Sequence, residues 1–186
     1  MCNYEALISV FEKPIHPAKK GSAMFEAISM TDQARSMIDD AGLAALQLQD
    51  PFVSSEHLLL VLSASANTVA RRLLDHFGLS HELVDRNVGL YRQATGYLPL
   101  SGGLPIGDGK YDMMFTKAID LAWNEATYFG GPRGTRGVVG TEHLLIGLSL
   151  DPKGFAGNFL PTNGADYVNL RSVLAKFGAQ EGAVPA

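Results

Sequence analysis

Apolar positions recur in steps of three and four along most of the chain, and no sustained alternation of apolar and polar residues occurs, so the pattern predicts helices and no strands. Ala34, Met37, Ile38, Ala41, Ala45 and Leu48 mark one amphipathic helix, and Met114, Ala118, Leu121, Ala122 and Ala126 mark another. Each is followed by a short, strongly apolar helix opening at Ser54-Ser55 or Gly140-Thr141, where hydroxyls are placed to accept the unpaired N–H groups of a first turn. A third helix carries Ala70, Leu73, Leu74 and Phe77 and stops at Gly78, a residue suited to the left-handed cap; a fourth carries Leu83, Val84, Val88 and Tyr91. In the second half, Gly157 and Pro161 fall inside the third helix and predict a shortened or bent element.

The two halves repeat each other. Ser55-Glu56-His57-Leu58-Leu59 returns as Thr141-Glu142-His143-Leu144-Leu145, and the same spacing of 86 residues relates Leu74 to Leu160, Gly78 to Gly164 and Val84 to Leu170. Upstream the register shifts. Thr31 lies 25 residues before Glu56 but Asp112 lies 30 before Glu142, and the Gly130 to Gly137 stretch accommodates the difference as a loop insertion. Expected boundaries are a leader over 1–23, a first repeat over 24–93, a Gly/Pro-rich linker over 94–111, a second repeat over 112–177 and a tail over 178–186. The expected fold is all-α, two pseudo-symmetric four-helix repeats in one compact domain.

Composition narrows the function classes. Of 186 residues, 46% are apolar and 18% charged, enough for one ordinary core. Fifteen basic against 19 acidic residues leave a net charge of -4, so no overall positive field favours a nucleic acid or an anionic membrane, and neither is expected as a partner. Leu58 to Leu62 is the longest strongly apolar run, far short of the roughly 20 residues that span a bilayer. The single cysteine, Cys2, excludes an internal disulfide and fits a reducing, cytoplasmic compartment.

Reaction chemistry finds little support. Each repeat supplies one motif histidine, His57 or His143, without the tight ligand set of a zinc hydrolase, and His81-Glu82-Leu83-Val84-Asp85 lacks the second histidine. Both motif histidines are expected to be packed, hydrogen-bonded structural groups. No Gly-x-Ser-x-Gly elbow occurs. Gly107-Asp108-Gly109-Lys110-Tyr111 fails as a phosphate-binding loop, because Leu104 stands at the first glycine position and Tyr111 at the metal-binding hydroxyl position. No metal, cofactor or catalytic residue is expected, and a small hydrolase is the remote alternative.

The paired segments Ser54-Ser55-Glu56-His57-Leu58-Leu59 and Val139-Gly140-Thr141-Glu142-His143-Leu144-Leu145-Ile146-Gly147-Leu148, each following a helix opening such as Thr31-Asp32-Gln33-Ala34, resemble the duplicated Clp N-terminal domain of ClpC- and ClpA-type unfoldases. The resemblance covers about residues 28–177; in the first copy Ser54-Ser55 replaces Gly-Thr and Val61 replaces a glycine. It implies a binding module for substrates and adaptors of a Clp ATPase or protease, here expected to work without ATPase modules of its own. It also implies candidate phosphoarginine or peptide contacts at Glu56 and Glu142, with Ser55 and Thr141 beside them. A carboxylate can take a guanidinium through paired hydrogen bonds, and a helix start can hold a phosphate. The same residues also make an ordinary helix start, with the acid favoured by the macrodipole.

Met113, Met114, Phe115, Trp123, Tyr128 and Phe129 lie in or just after one helix, more than a single buried stripe holds. Cover by the leader or linker and an open binding surface are the two readings.

Overall fold

A computed structural model describes Phe25 and residues 28–95, 111–130 and 136–181. The leader, most of the Gly/Pro-rich linker, the centre of the inserted loop and the end of the tail lie outside the described residues. Eight helices are described: α1 (Asp32–Gln47), α2 (Ser55–Ala64), α3 (Val69–His76), α4 (His81–Thr95), α5 (Met113–Tyr128), α6 (Thr141–Ser149), α7 (Phe155–Thr162) and α8 (Tyr167–Glu181). No strand occurs among the described residues.

The helices start where local chemistry tells them to. Thr31, Thr68 and Asp112 each accept an N–H of the following first turn on a side-chain oxygen. Gly78 and Gly164, two residues past the end of α3 and α7, take φ of 69° and 80°, the left-handed conformation that a side chain disfavours.

Helices α2 and α6 form the centre: every residue from Ser55 to Ser63 and from Thr141 to Ser149 is buried. A helix apolar on all sides has no solvent face to offer, so the other helices wrap this pair. The buried stripes of α1 (Ala34, Met37, Ile38, Ala41, Ala44, Ala45) and α5 (Phe115, Ala118, Ile119, Ala122, Ala126) lie on α2 and α6. The α5–α6 pair is the most extensively packed in the fold. Phe25 extends the core, its ring 5.1 Å from that of Tyr111.

The repeats interlock rather than sit side by side. Met30, before α1, bridges in parallel to Val139, before α6, and Val53, before α2, bridges to Tyr111, before α5. Thr31 donates its N–H to the Val139 carbonyl and Asp112 donates to the Val53 carbonyl, each at 2.9 Å. Each repeat's first helix is thus anchored to the second helix of the other. Thr141 Oγ1 adds a further cross-repeat bond, accepting from the Ala70 N–H at 3.3 Å. Thr141→Val is expected to cost about 1 kcal/mol in a urea titration, because it removes that acceptor from a buried helix start.

One expectation is corrected. Helix α7 is not shortened: it has eight residues, as does α3. Gly157 is there for space, since a Cβ would lie 1.7 Å from the Asp151 carbonyl oxygen, and Pro161 sits near the end of the helix. Close approach of backbones, not a helix break, explains the glycine.

Candidate functional site

Each apolar central helix opens with the same local device. The backbone N–H of Ser54 donates to His57 Nδ1 at 3.0 Å, and that of Gly140 donates to His143 Nδ1 at 2.9 Å. Histidine thus takes the role that Glu or Gln plays in a capping box. An Nδ1 that accepts leaves the proton on Nε2. In the first repeat this Nε2–H donates to Asp50 at 2.7 Å, and Arg92 of α4 closes on the same carboxylate with two bonds, one at 2.8 Å.

Ser54, His57 and Asp50 therefore line up as hydroxyl, imidazole and carboxylate, with Ser54 Oγ 2.7 Å from Nδ1. The row is sealed: His57 has no exposed surface and Ser54 and Asp50 have 2% and 3%. No substrate carbonyl can reach Ser54 Oγ, and the histidine lone pair is already taken by a backbone N–H. The arrangement is a structural clamp. Burial works to raise the Asp50 pKa, but the bonds from His57 and Arg92 outweigh it and hold the carboxyl below its usual value. Stability from a depressed carboxyl is complete above the unfolded pKa, about 4, and is lost as pH falls through the folded value. The urea midpoint is expected to fall as pH is lowered from 5 to 3, and Asp50→Asn is expected to flatten that slope.

The candidate residues Glu56 and Glu142 are both buried, in the first turns of α2 and α6. Their surroundings differ. Glu142 folds back over Gly140: its carboxylate oxygens occupy the space a Cβ at 140 would need, 2.5 Å away. The residue beside this helix start, across the repeat boundary, is Thr31. Beside Glu56 the equivalent residue is Asp112. Burial, with the charge of Glu56 adding to it, holds the Asp112 carboxyl above its usual value despite the Phe115 N–H it accepts. Ser55 and Thr141 are buried and face the start of the other repeat's third helix: Thr141 reaches Ala70, and Ser55 Oγ lies 2.7 Å from where a Cβ of Gly154 would be.

An open cleft of about 400 Å³ lies between α4 and α7. Its walls are Tyr91, Phe155 and Phe159, with ring centroids 5.1 Å apart for Tyr91 and Phe155 and 5.4 Å for Phe155 and Phe159. Asn87, Asn158 and Asn163 supply polar groups and Lys153 stands at the rim. An apolar floor with a few placed polar groups is the general form of a ligand site.

The sequence model of the Clp repeat (R) N-terminal domain matches residues 29–131, more than half of the chain. The chain belongs to the Clp repeat N-terminal domain family. Curated relatives include the chloroplastic ATP-dependent Clp protease ATP-binding subunit ClpA homolog of Brassica napus, 27% identical over 91% of this chain and 18% of that protein. The ATP-binding subunit ClpC of Staphylococcus aureus is 25% identical over 79% of this chain and 16% of its own. The chain thus spans less than a fifth of the length of these relatives. Among solved structures, the N-domain of ClpV from Vibrio cholerae superposes with a TM-score of 0.64 at 15% identity, over 89% of this chain and 95% of that one. A complex of the ClpV N-domain with a VipB peptide superposes with a TM-score of 0.58 at 14% identity, over 89% and 94%. These likenesses establish the all-helical Clp N-domain fold.

Within this Clp N-domain the apolar residues singled out on α5 divide. Phe115 is core and Trp123 packs against it, whereas Met113, Tyr128 and Phe129 are exposed, Phe129 beneath the Arg171 guanidinium at 3.6 Å. No described helix is long and apolar enough to cross a membrane. Asp50, Arg92 and the cleft residues escaped sequence reasoning, because each is defined by a partner on another helix.

Proposed function

We propose that this protein is a binding module of a Clp-type protein quality-control system, holding substrate or adaptor polypeptides, or a Clp ATPase or protease component, without chemistry of its own. The observation that carries this reading is the cleft between α4 and α7, an open aromatic-walled space at the boundary of the repeats, set against a Ser54–His57–Asp50 row that is shut off from solvent. The related ClpV N-domain was solved with a VipB peptide, which supports peptide capture as a capacity of this fold. In this reading ATP hydrolysis belongs to a Clp ATPase that this module serves in the cytoplasm. Biolayer interferometry of the immobilised protein against the purified Clp ATPase of the same cell and against reduced, unfolded casein tests it. Saturable binding to either is expected, and binding to neither overturns the proposal.

A second reading is phosphoarginine recognition, and the asymmetry between the glutamates favours one site for it. A guanidinium can pair with either carboxylate, but the start of α2 carries the Asp112 carboxyl, which feels the charge of Glu56, whereas the residue bonded to Val139 before α6 is a threonine, Thr31. Calorimetry with free phosphoarginine is expected to give heat that Glu142→Ala abolishes and Glu56→Ala leaves within about twofold. Absence of heat with the unmodified protein removes this reading.

A further inference from the structure

The internal duplication supplies a comparison within one molecule. The spacing of 86 residues that relates the repeats maps α4 onto α8 and α3 onto α7 residue for residue. It carries the open cleft between α4 and α7 onto the junction of α8 and α3: Tyr91 onto Phe177, Asn158 onto Arg72, Thr162 onto His76. At that junction the aromatic face is occupied. The Arg72 guanidinium carbon lies 4.7 Å from the Phe177 ring centroid, with the His76 ring 6.4 Å away at 84°. In the open cleft the residue at the Arg72 position is Asn158, too short to reach over Tyr91, and the space stands free.

The polar groups of the cleft match what is missing. The side-chain N–H groups of Asn87, Asn158 and Asn163 are tied to backbone carbonyls, those of Leu83 at 2.8 Å, of Pro152 and Gly154 at 2.8 and 3.0 Å, and of Phe159 at 2.8 Å. Asn158 spends both of its amide N–H groups on these carbonyls and keeps only its oxygen, an acceptor, for a ligand, while Asn87 and Asn163 each keep an oxygen and one N–H. The acceptor oxygen of Asn158 beside an aromatic wall suits a flat group rich in donors. The local field has the same sign: burial first, then the negative charges of Glu56 and Asp112, push the Tyr91 phenol up. Lys153 is the opposing charge in the lining; its ammonium is at the exposed rim, on a flexible stem that can turn to water.

We propose that the cleft between α4 and α7 takes the guanidinium of an arginine side chain presented by an extended segment of a bound polypeptide, in the place that the chain's own Arg72 fills in the other repeat. This inference names the chemistry of the segment and rests on the reading of the protein as a polypeptide-binding module. An unmodified arginine suffices, and the site is distinct from Glu142.

Calorimetry and two-dimensional NMR on the whole chain test it, with a capped hexapeptide containing one central arginine flanked by glycine and serine, and the same peptide with citrulline, which keeps the shape and loses the charge. The arginine peptide is expected to bind with shifts centred on Tyr91, Asn87 and Asn158, and citrulline to weaken it by about tenfold or more. Tyr91→Leu is expected to weaken it by a similar factor. Asn158→Arg, at an exposed position where it installs the plug of the other repeat, is expected to abolish binding with an unchanged thermal midpoint. Equal affinity for the two peptides, or full binding by folded Asn158→Arg, overturns the inference. If casein or Clp ATPase binding persists in that case, the module reading stands without it; if both fail, both fall.

Discussion

Asp50→Ala is expected to destabilise the fold by about 3 to 5 kcal/mol, the usual cost of removing one partner from a buried ion pair. Asp50 is sealed, and on it converge the Nε2–H of a fully buried His57 and the guanidinium of Arg92, whose side chain is 12% exposed. Its removal leaves the imidazole N–H without its acceptor and takes the carboxylate from Arg92, which keeps the Leu48 carbonyl at the end of α1. Urea denaturation at neutral pH measures the loss. A change under about 1 kcal/mol would mean that Arg92 escapes to water and that the clamp contributes little. The second repeat provides a control, because His143 Nε2 has no partner among the described residues. His57→Ala is therefore expected to cost more than His143→Ala, by about 1 to 2 kcal/mol.

Gly147→Val is expected to cost about 3 kcal/mol or to prevent folding, again read from urea or thermal unfolding. A Cβ at 147 would lie 2.2 Å from the Ala118 carbonyl oxygen and 2.9 Å from the Ala122 nitrogen, and both are backbone atoms of α5 that cannot swing aside. The substitution would force α5 and α6 apart at their closest approach. In the first repeat the related position is Val61, which is fully buried without conflict, so α1 and α2 are packed around a side chain that α5 and α6 cannot hold. The reciprocal change, Val61→Gly, opens a cavity instead and is expected to be the milder of the two only if α1 settles inward.

The same contrast shows how far local sequence reaches. The apolar steps of α1 and α5 are readable because a helix repeats its environment every three to four residues, and Thr31, Asp112, Gly78 and Gly164 mark ends through bonds or dihedrals within a few residues of themselves. The structural role of His57 and His143 was legible for the same reason, since their Nδ1 bonds span three residues. Gly157 misled because its chemistry is not local to the helix: it answers to the Asp151 carbonyl pressed against it. Glu56 and Glu142 read alike in sequence, yet the chain crossing before α2 brings Asp112 to Val53 and the one before α6 brings Thr31 to Val139.

By itself the sequence determined a duplicated, all-helical chain, the order of its helices, their caps and the kinship of its two halves with Clp N-terminal repeats. Tertiary structure alone decided which repeat's Arg72 lies on Phe177 and which cleft beside Tyr91 stays open, how Arg92 reaches Asp50, and how Thr141 meets Ala70, 71 residues away. The reason is that periodicity and capping report the surroundings of a residue along one helix. The rotation that sets one repeat against the other is fixed only when the faces of α2 and α6 close on their neighbours, and no short stretch of chain carries it.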